Sequence, residues 1–373
     1  MIWTTPTRSN TVGVKMKVRS LSTFTGEVVM DKVIAIGIDL AKTIVSVHGQ
    51  SEQGKGVLKK SLKPAAMFEL LATMEPCKIG MEACSGAHDT ARRLRAMGHD
   101  ARIIAPKYVV KFRQKQKNDA NDAEAICETL LHRKTRFVPI KSVEQQAVLC
   151  LHRIRAAQIH ARTSLINEMR GLLTEFGVVM PKGRYNFQDG VAFAIDQPEV
   201  PELARQLLVD LHSKLRAFNE DVLSLDRRIS AQVRLSDAMQ RVHEILGVGE
   251  ITASAVVATV GHATDFKNGR QFAAWLGLVP KQYSTGGKTM LGRITKQGDQ
   301  YLRTLLVHGA RTVLMNAANR PGRINQWVTQ LIARRGFNKA CIAMAAKNAR
   351  IIWAVLARGQ AYRPDHIVTM AEA

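Results

Sequence analysis

Four acidic residues stand where a divalent cation could be held. Asp39 closes an apolar, β-branched run, KVIAIGID (32–39), and Glu82 closes a second, KIGME (78–82). Asp119 and Asp122 lie three apart in KNDANDAEAI, a spacing that sets both carboxylates on one side of a helix start. Hard divalent cations take oxygen ligands, and two-metal phosphoryl chemistry needs carboxylates converging from different elements. Each acid has a plainer reading too. Asp39 and Glu82 would serve as turn residues after strands, and Asp119 and Asp122 as helix caps. Arg113, Lys115 and Lys117, just ahead of the pair, would grip phosphate or form a solvated helix face. Lys42, three residues beyond Asp39, is a further candidate phosphate contact.

A second constellation lies in PKQYSTGGKTMLGRITKQGDQYLR (280–303). Its first part, 281–296, reads as a loop rich in Ser, Thr, Gly and Lys. Ser284 is followed by small residues that let a DNA backbone approach a hydroxyl. Lys288, Arg293, Lys296 and Arg303 can neutralise charge developing on a phosphate. A serine hydroxyl needs a base or a metal for activation, and no His lies close in sequence. The acidic constellation is a candidate activator. Tyr283 is a competing nucleophile on chemistry alone, and Ser-Thr-Gly-Gly is also an ordinary loop. His48, His88, His262 and His308 show no metal-ligand spacing.

The elements that must position these residues follow from hydrophobic period. Strands are expected at 32–39, 43–48 and 57–62, a helix at 64–74, a strand at 78–82, a helix at 90–97 and a strand at 101–105. Three strands, then strand and helix in alternation, is the order of an RNase H-like α/β domain. Residues 143–176 form one long helical pattern, and 177–201 read as a Gly/Pro-containing break. Leu208, Leu211, Leu215, Phe218, Val222, Leu225 and Ile229 then recur at steps of three and four, a heptad seam. Two long helices around a break predict an antiparallel arm. Next, Gly247-Val248-Gly249 precedes an apolar helix in ILGVGEITASAVVATVG (245–261). This resembles a helix-hairpin-helix element, whose backbone N–H groups at Gly247 and Gly249 would receive a phosphate; the alternative is an ordinary helix-connecting turn.

Bulk properties agree with a polyanionic partner. The 373 residues hold 54 Lys and Arg against 31 Asp and Glu, for a net charge of +23. A surplus of that size points to nucleic acid. Five scattered cysteines without CxxC spacing suggest buried thiols in a reducing compartment, and no apolar run reaches the ~18 residues of a membrane span. The expected organisation is a basic disordered extension over 1–30 (Met30 being a second candidate start), an RNase H-like domain over 31–140, a helical coiled-coil arm over 141–240, a mainly helical domain over 241–360 and a tail over 361–373.

In their joint order these motifs resemble those of the DEDD transposases of the IS110 family of insertion sequences, in its IS1111 subgroup. The resemblance covers about residues 30–356. It rests on Gly37-Ile38-Asp39, Glu82 with Gly86, and Asp119 with Asp122 in a RuvC-like domain. It rests further on Gly247 to Ala253, Phe272 to Pro280, Ser284 to Gly287 and Ile294 to Arg303 in a C-terminal transposase domain. Ser284 is followed by Thr285, where many relatives have Gly at once. The resemblance implies covalent attack by Ser284 on DNA and Mg²⁺ or Mn²⁺ at Asp39, Glu82, Asp119 and Asp122. It also implies a noncoding bridge RNA pairing with donor and target DNA, and a composite site built by a homo-oligomer, dimer or tetramer. A cytoplasmic, nucleoid-associated setting and no membrane go with it. Two other readings stay open: a RuvC-like hydrolytic nuclease of the junction-resolvase type, and a non-catalytic nucleic-acid-binding scaffold.

Overall fold

The computed structural model describes residues 32–113 and 118–363. The extension expected over 1–30, the residues from 364 onward in the expected tail, and the candidate phosphate contacts Lys115 and Lys117 lie outside the described residues. The chain divides into two compact units. One reaches Ala87 and resumes over Arg93–Arg136; the other comprises His88–Arg92 and the chain from Phe137 onward.

The first unit is built on β1 (Val33–Asp39), β2 (Val45–Ser51), β3 (Gly56–Leu62), α1 (Pro64–Ala72), β4 (Lys78–Glu82), α2 (Ala87–Ala96), β5 (Asp100–Ile104), α3 (Pro106–Val109) and α4 (Asp119–Leu131). Its strands lie in the order β3-β2-β1-β4-β5. The first three pair antiparallel, and β4 and β5 join β1 in parallel. Ile36, Ile38, Ile79, Met81 and Ile103 are fully buried, as near-continuous apolar strands require. Helix α4 lies on this sheet through Ala123, Ile126 and Cys127. Gly37 permits that approach. A β-carbon there would stand 2.1 Å from the Ala123 carbonyl oxygen and 2.5 Å from the Cys127 nitrogen. The mixed α/β domain with a central sheet agrees with the expected RNase H-like class.

The second unit contains β6 (Phe137–Val138), α5 (Val143–Glu175), α6 (Arg184–Ile195), α7 (Glu202–Leu235), α8 (Asp237–His243), α9 (Glu250–Val260), α10 (Gly269–Trp275), β7 (Pro280–Thr285), β8 (Lys288–Ile294), α11 (Gln300–Asn316), α12 (Arg323–Arg335) and α13 (Phe337–Arg358). A capping box between Ser142 and Gln145 starts α5. Helices α5 and α7 run antiparallel: Arg155 pairs with Asp226, and seven residues further on Arg162 donates to Asn219, seven residues back. Leu208, Leu215, Val222, Leu225 and Ile229 of the seam are buried. Leu208 and Leu215 pack in one cluster with Leu165, Met169 and Leu173.

Two expectations need correction. The break expected over 177–201 contains α6, whose Phe187, Val191, Ala194 and Ile195 fill the end of the arm core at helical spacing. Gly183 and Pro201 punctuate its flanks and masked it. Among the described residues α13 is the one helix that by length and composition could cross a membrane, but Lys347 and Arg350 interrupt its apolar stretch and half of that stretch is buried inside the protein. Cys341, Met344, Ala345 and Ile352 of α13 belong to the C-terminal core. Finally, all five cysteines are free, but only Cys77, Cys127 and Cys341 are buried; Cys84 and Cys150 are exposed.

Candidate active site

Parallel pairing of β1 and β4 sets two of the acids. Ile38 pairs with Met81, so Asp39 and Glu82 are the next residues on adjacent strands, both half-buried. Their charges reach Cys84, whose thiol pKa is raised first by the partial desolvation of its sulfur, although the residue is exposed, and then by Glu82 and Asp39. Asn118 caps α4 by accepting from the Asn121 backbone N–H, which places Asp119 and Asp122 in the first helical turn. Backbone N–H groups there favour negative charge. Asp119 is exposed and Asp122 is buried.

Arg113 is not a free phosphate contact in this arrangement. Its Nε lies 2.5 Å from Asp122 Oδ1, with side-chain exposures of 22% and 10%. Among the described residues, no group of three or more His, Cys, Asp or Glu side chains stands close enough to hold a metal ion. The donor chemistry of the four carboxylates suits a hard divalent cation, and at Asp122 the compensating positive charge is that of Arg113.

The segment expected to be a loop is a β-hairpin. Strands β7 and β8 pair antiparallel, with Tyr283 opposite Met290, Ser284 opposite Thr289 and Thr285 opposite Lys288. Gly286 and Gly287 make the turn, both at positive φ (55° and 77°), as a tight two-residue connection requires. Gln282 donates from Nε2 to Ser284 Oγ at 2.9 Å. A strand places alternate side chains on opposite faces, so Tyr283 and Ser284 do not share one.

Close backbone contacts anchor the base of the hairpin. A β-carbon on Gly277 would stand 2.4 Å from the Gln297 nitrogen, and one on Gly298 would stand 1.9 Å from the Trp275 carbonyl oxygen. Arg303 donates to the carbonyls of Leu276 and Gln297 at 3.0 and 2.9 Å, so it pins this junction. Lys42, Lys288, Arg293 and Lys296 are exposed. Gly247 packs on α11, where a β-carbon would meet Val313 Cγ2 at 2.7 Å; Gly249 is exposed at the start of α9 with open space around it. Sequence reading missed the contact of Gln282 with Ser284, although side chains two apart on a strand share a face. It also missed a buried link in which His152 shares hydrogen bonds with Tyr301 Oη and Ser254 Oγ, both at 3.0 Å.

A mixed α/β unit with acids at the ends of two parallel strands, a mainly helical second unit and a net charge of +23 suit a nucleic-acid-processing protein. The profile described as "Transposase IS116/IS110/IS902 family" matches residues 239–324, and that of the DEDD transposase domain of IS110 elements matches residues 36–178. The chain is 45% identical over 332 residues to a "Probable family 20 transposase" of Pseudomonas aeruginosa, covering 88% of this chain and 98% of the relative. It is 39% identical to the transposase for insertion sequence element IS1111A of Coxiella burnetii, over 90% of this chain and 92% of that one. It is 37% identical to the transposase for IS1328 of Yersinia enterocolitica, over 89% and 99%. The chain belongs to the IS110/IS116/IS902 family of transposases, enzymes that cut and rejoin DNA.

Proposed function

We propose that this transposase cuts and rejoins the DNA of its insertion sequence through a covalent phosphoserine at Ser284. The observation that carries the reading is the exposed hairpin, which presents Ser284 Oγ with the Gln282 amide as hydrogen-bond donor. In the forward step Ser284 Oγ bonds to a DNA phosphorus, and the bond from that phosphorus to one deoxyribose oxygen breaks. The serine loses its proton and the departing oxygen gains one, so the step is balanced without water. The reverse step, on a different deoxyribose hydroxyl, rejoins the DNA and frees the serine. Gln282 holds Oγ in place and offers its N–H to negative charge building there. Arg293, exposed along the hairpin and in alternation with Thr289 and Leu291, neutralises the phosphate.

Asp39, Glu82, Asp119 and Asp122 are the carboxylates that would hold Mg²⁺ or Mn²⁺ once drawn closer together than they stand here; the ion when bound would supply charge neutralisation to the reacting phosphate. RuvC-like character for the first unit, guidance by a bridge RNA, and assembly as a homo-oligomer belong to the same reading, as does a phosphate contact at Gly249. They are supported by family membership and the +23 charge.

The test is recovery of the protein–DNA adduct after denaturation and mapping of its peptide by mass spectrometry. The expected linkage is at Ser284, absent in Ser284→Ala with DNA binding retained. Linkage at Tyr283, or hydrolysis with no adduct, would overturn it.

A further inference from the structure

The hairpin has two chemically different faces, and both are open. Every residue of β7 and β8 is exposed except Ile294, which is half-buried. The first face carries Gln282 and Ser284, joined by their hydrogen bond, with Thr289 and Leu291 across from them. The second carries Lys281 and Tyr283: a β-carbon on Gly292 would lie 3.5 Å from Tyr283 Cε2 and 3.8 Å from Lys281 Cβ, so these three share a side. By pairing and alternation Met290 and Lys288 join them. Tyr283 and Met290 are 63% and 69% exposed, side by side across the strands, with a lysine at either end of the row.

A lone two-stranded hairpin with two wet faces is marginally stable and contributes little to a core. Its composition suits a polyanion with flat rings. No Asp or Glu occurs from Pro280 to Gly298, while Lys281, Lys288, Arg293 and Lys296 do. Aromatic side chains among cations are platforms for unpaired bases, and Met is one of the side chains that wedge between base steps. A single β layer with its side chains is about 10 Å through, the spacing at which sheets stack. An intact, stacked base pair has no gap of that width.

We propose that the hairpin is a strand-separating wedge. The Ser284 face takes the DNA strand to be cut, and the Lys281–Tyr283–Met290–Lys288 face takes the opposite strand of the opened duplex, with Tyr283 stacked on an unpaired base. The proposal rests on the assignment of Ser284 as nucleophile and extends it from one hydroxyl to the shape of the substrate.

The experiment compares duplex DNA from the insertion-sequence junction with the same DNA carrying a short mismatched bubble at the cut site, using the full-length protein. Tyr283→Ala combined with Met290→Ala should lower adduct formation on duplex at least tenfold and recover to near the wild-type rate on the bubble. Tyr283→Phe, which keeps the ring, should still open the duplex, so thymine reactivity at the cut site is retained where the double variant loses it. Permanganate reactivity of thymines at the cut site reports opening directly. It should persist in Ser284→Ala, which makes no adduct, and disappear in the Tyr283/Met290 double variant. Equal activity losses on duplex and bubble, unchanged activity on both, or persistent thymine reactivity in the double variant would overturn the wedge. So would a changed oligomeric mass in the double variant with thymine reactivity intact, since the face would then pack on protein. An adduct that survives Ser284→Ala would sink the nucleophile assignment while leaving the permanganate result to judge the wedge.

Discussion

The Arg113 guanidinium lies against the Asp122 carboxylate, Nε to Oδ1 at 2.5 Å, on one of the carboxylates that the proposed metal site would use. Asp122 is buried and Arg113 nearly so, which strengthens the pair relative to one in open water. Arg113→Ala would leave a buried carboxylate without its cation, at a cost of about 1–3 kcal/mol. Mg²⁺ would offset part of that cost in the variant. The expected outcome is a melting temperature below wild type without metal and a larger Mg²⁺-induced rise than wild type shows. Equal Mg²⁺ responses in the two proteins would contradict competition at Asp122. Asp122→Ala should remove both the metal response and DNA cleavage.

Gly37 is the position on which α4 rests, and alanine there should not be accommodated. Its β-carbon would meet backbone atoms of Ala123 and Cys127, which have no flexible end to move aside. Overpacking of this kind typically costs 1–3 kcal/mol or more, and here it also shifts the helix that carries Asp119 and Asp122. Gly37→Ala should therefore lower the urea midpoint and abolish cleavage. Gly249→Ala serves as the control, with an ordinary φ of −83° and open space; it gives up only the N-cap preference for Gly over Ala, and its stability should stay within about 1 kcal/mol of wild type. A normal midpoint for Gly37→Ala would show that α4 is not held as described.

Gln282 touches Ser284 Oγ and should matter to rate, not to binding. The net worth of one such hydrogen bond is about 1 kcal/mol, and a loss of 1.4 kcal/mol in the transition state is tenfold in rate. Gln282→Ala should slow adduct formation at saturating DNA up to about tenfold, with unchanged DNA affinity. Gln282→Asn is too short to span two positions along the strand and should resemble Ala. A weakened DNA affinity with normal rate at saturation would make Gln282 a binding residue instead.

His152 should make stability fall in mild acid. Burial, and then the charge of Arg155, push its pKa down from 6.5 to about 4, so it stays neutral between Tyr301 and Ser254. In the unfolded chain it protonates below about pH 6.5 while the folded chain resists until about pH 4. Its stabilising contribution is thus complete above pH 6.5 and is lost as pH falls through that window, by about 2 kcal/mol between pH 7 and pH 5. Urea unfolding at the two pH values should show this drop in wild type and a smaller one in His152→Gln. Equal drops would place the pH sensitivity elsewhere.

The sequence by itself determined the elements and their acids. Apolar β-branched runs ending in Asp39 and Glu82 become β1 and β4 because such runs are stable only when buried in a sheet, and β4 spans the expected residues. Five of the seven residues in the heptad from Leu208 to Ile229 are buried, with Leu211 and Phe218 partly so, because a seam of that period has one apolar face to hide. Charge alone pointed to nucleic acid, and motif order to the family. What only the tertiary structure decided is which partners each side chain meets. Arg113 reads as one more cation ahead of an acidic pair, yet it closes on Asp122, nine residues away, once α4 lies on Gly37. Arg303 reads as a phosphate contact and holds carbonyls; Gly247 reads as a phosphate receptor and packs on α11. The stretch around Ser284 hides its hairpin because its strands bury nothing, and without burial there is no alternation of apolar residues to read. Backbone pairing, which leaves no periodic mark in the side chains here, sets Ser284 and Tyr283 on opposite faces.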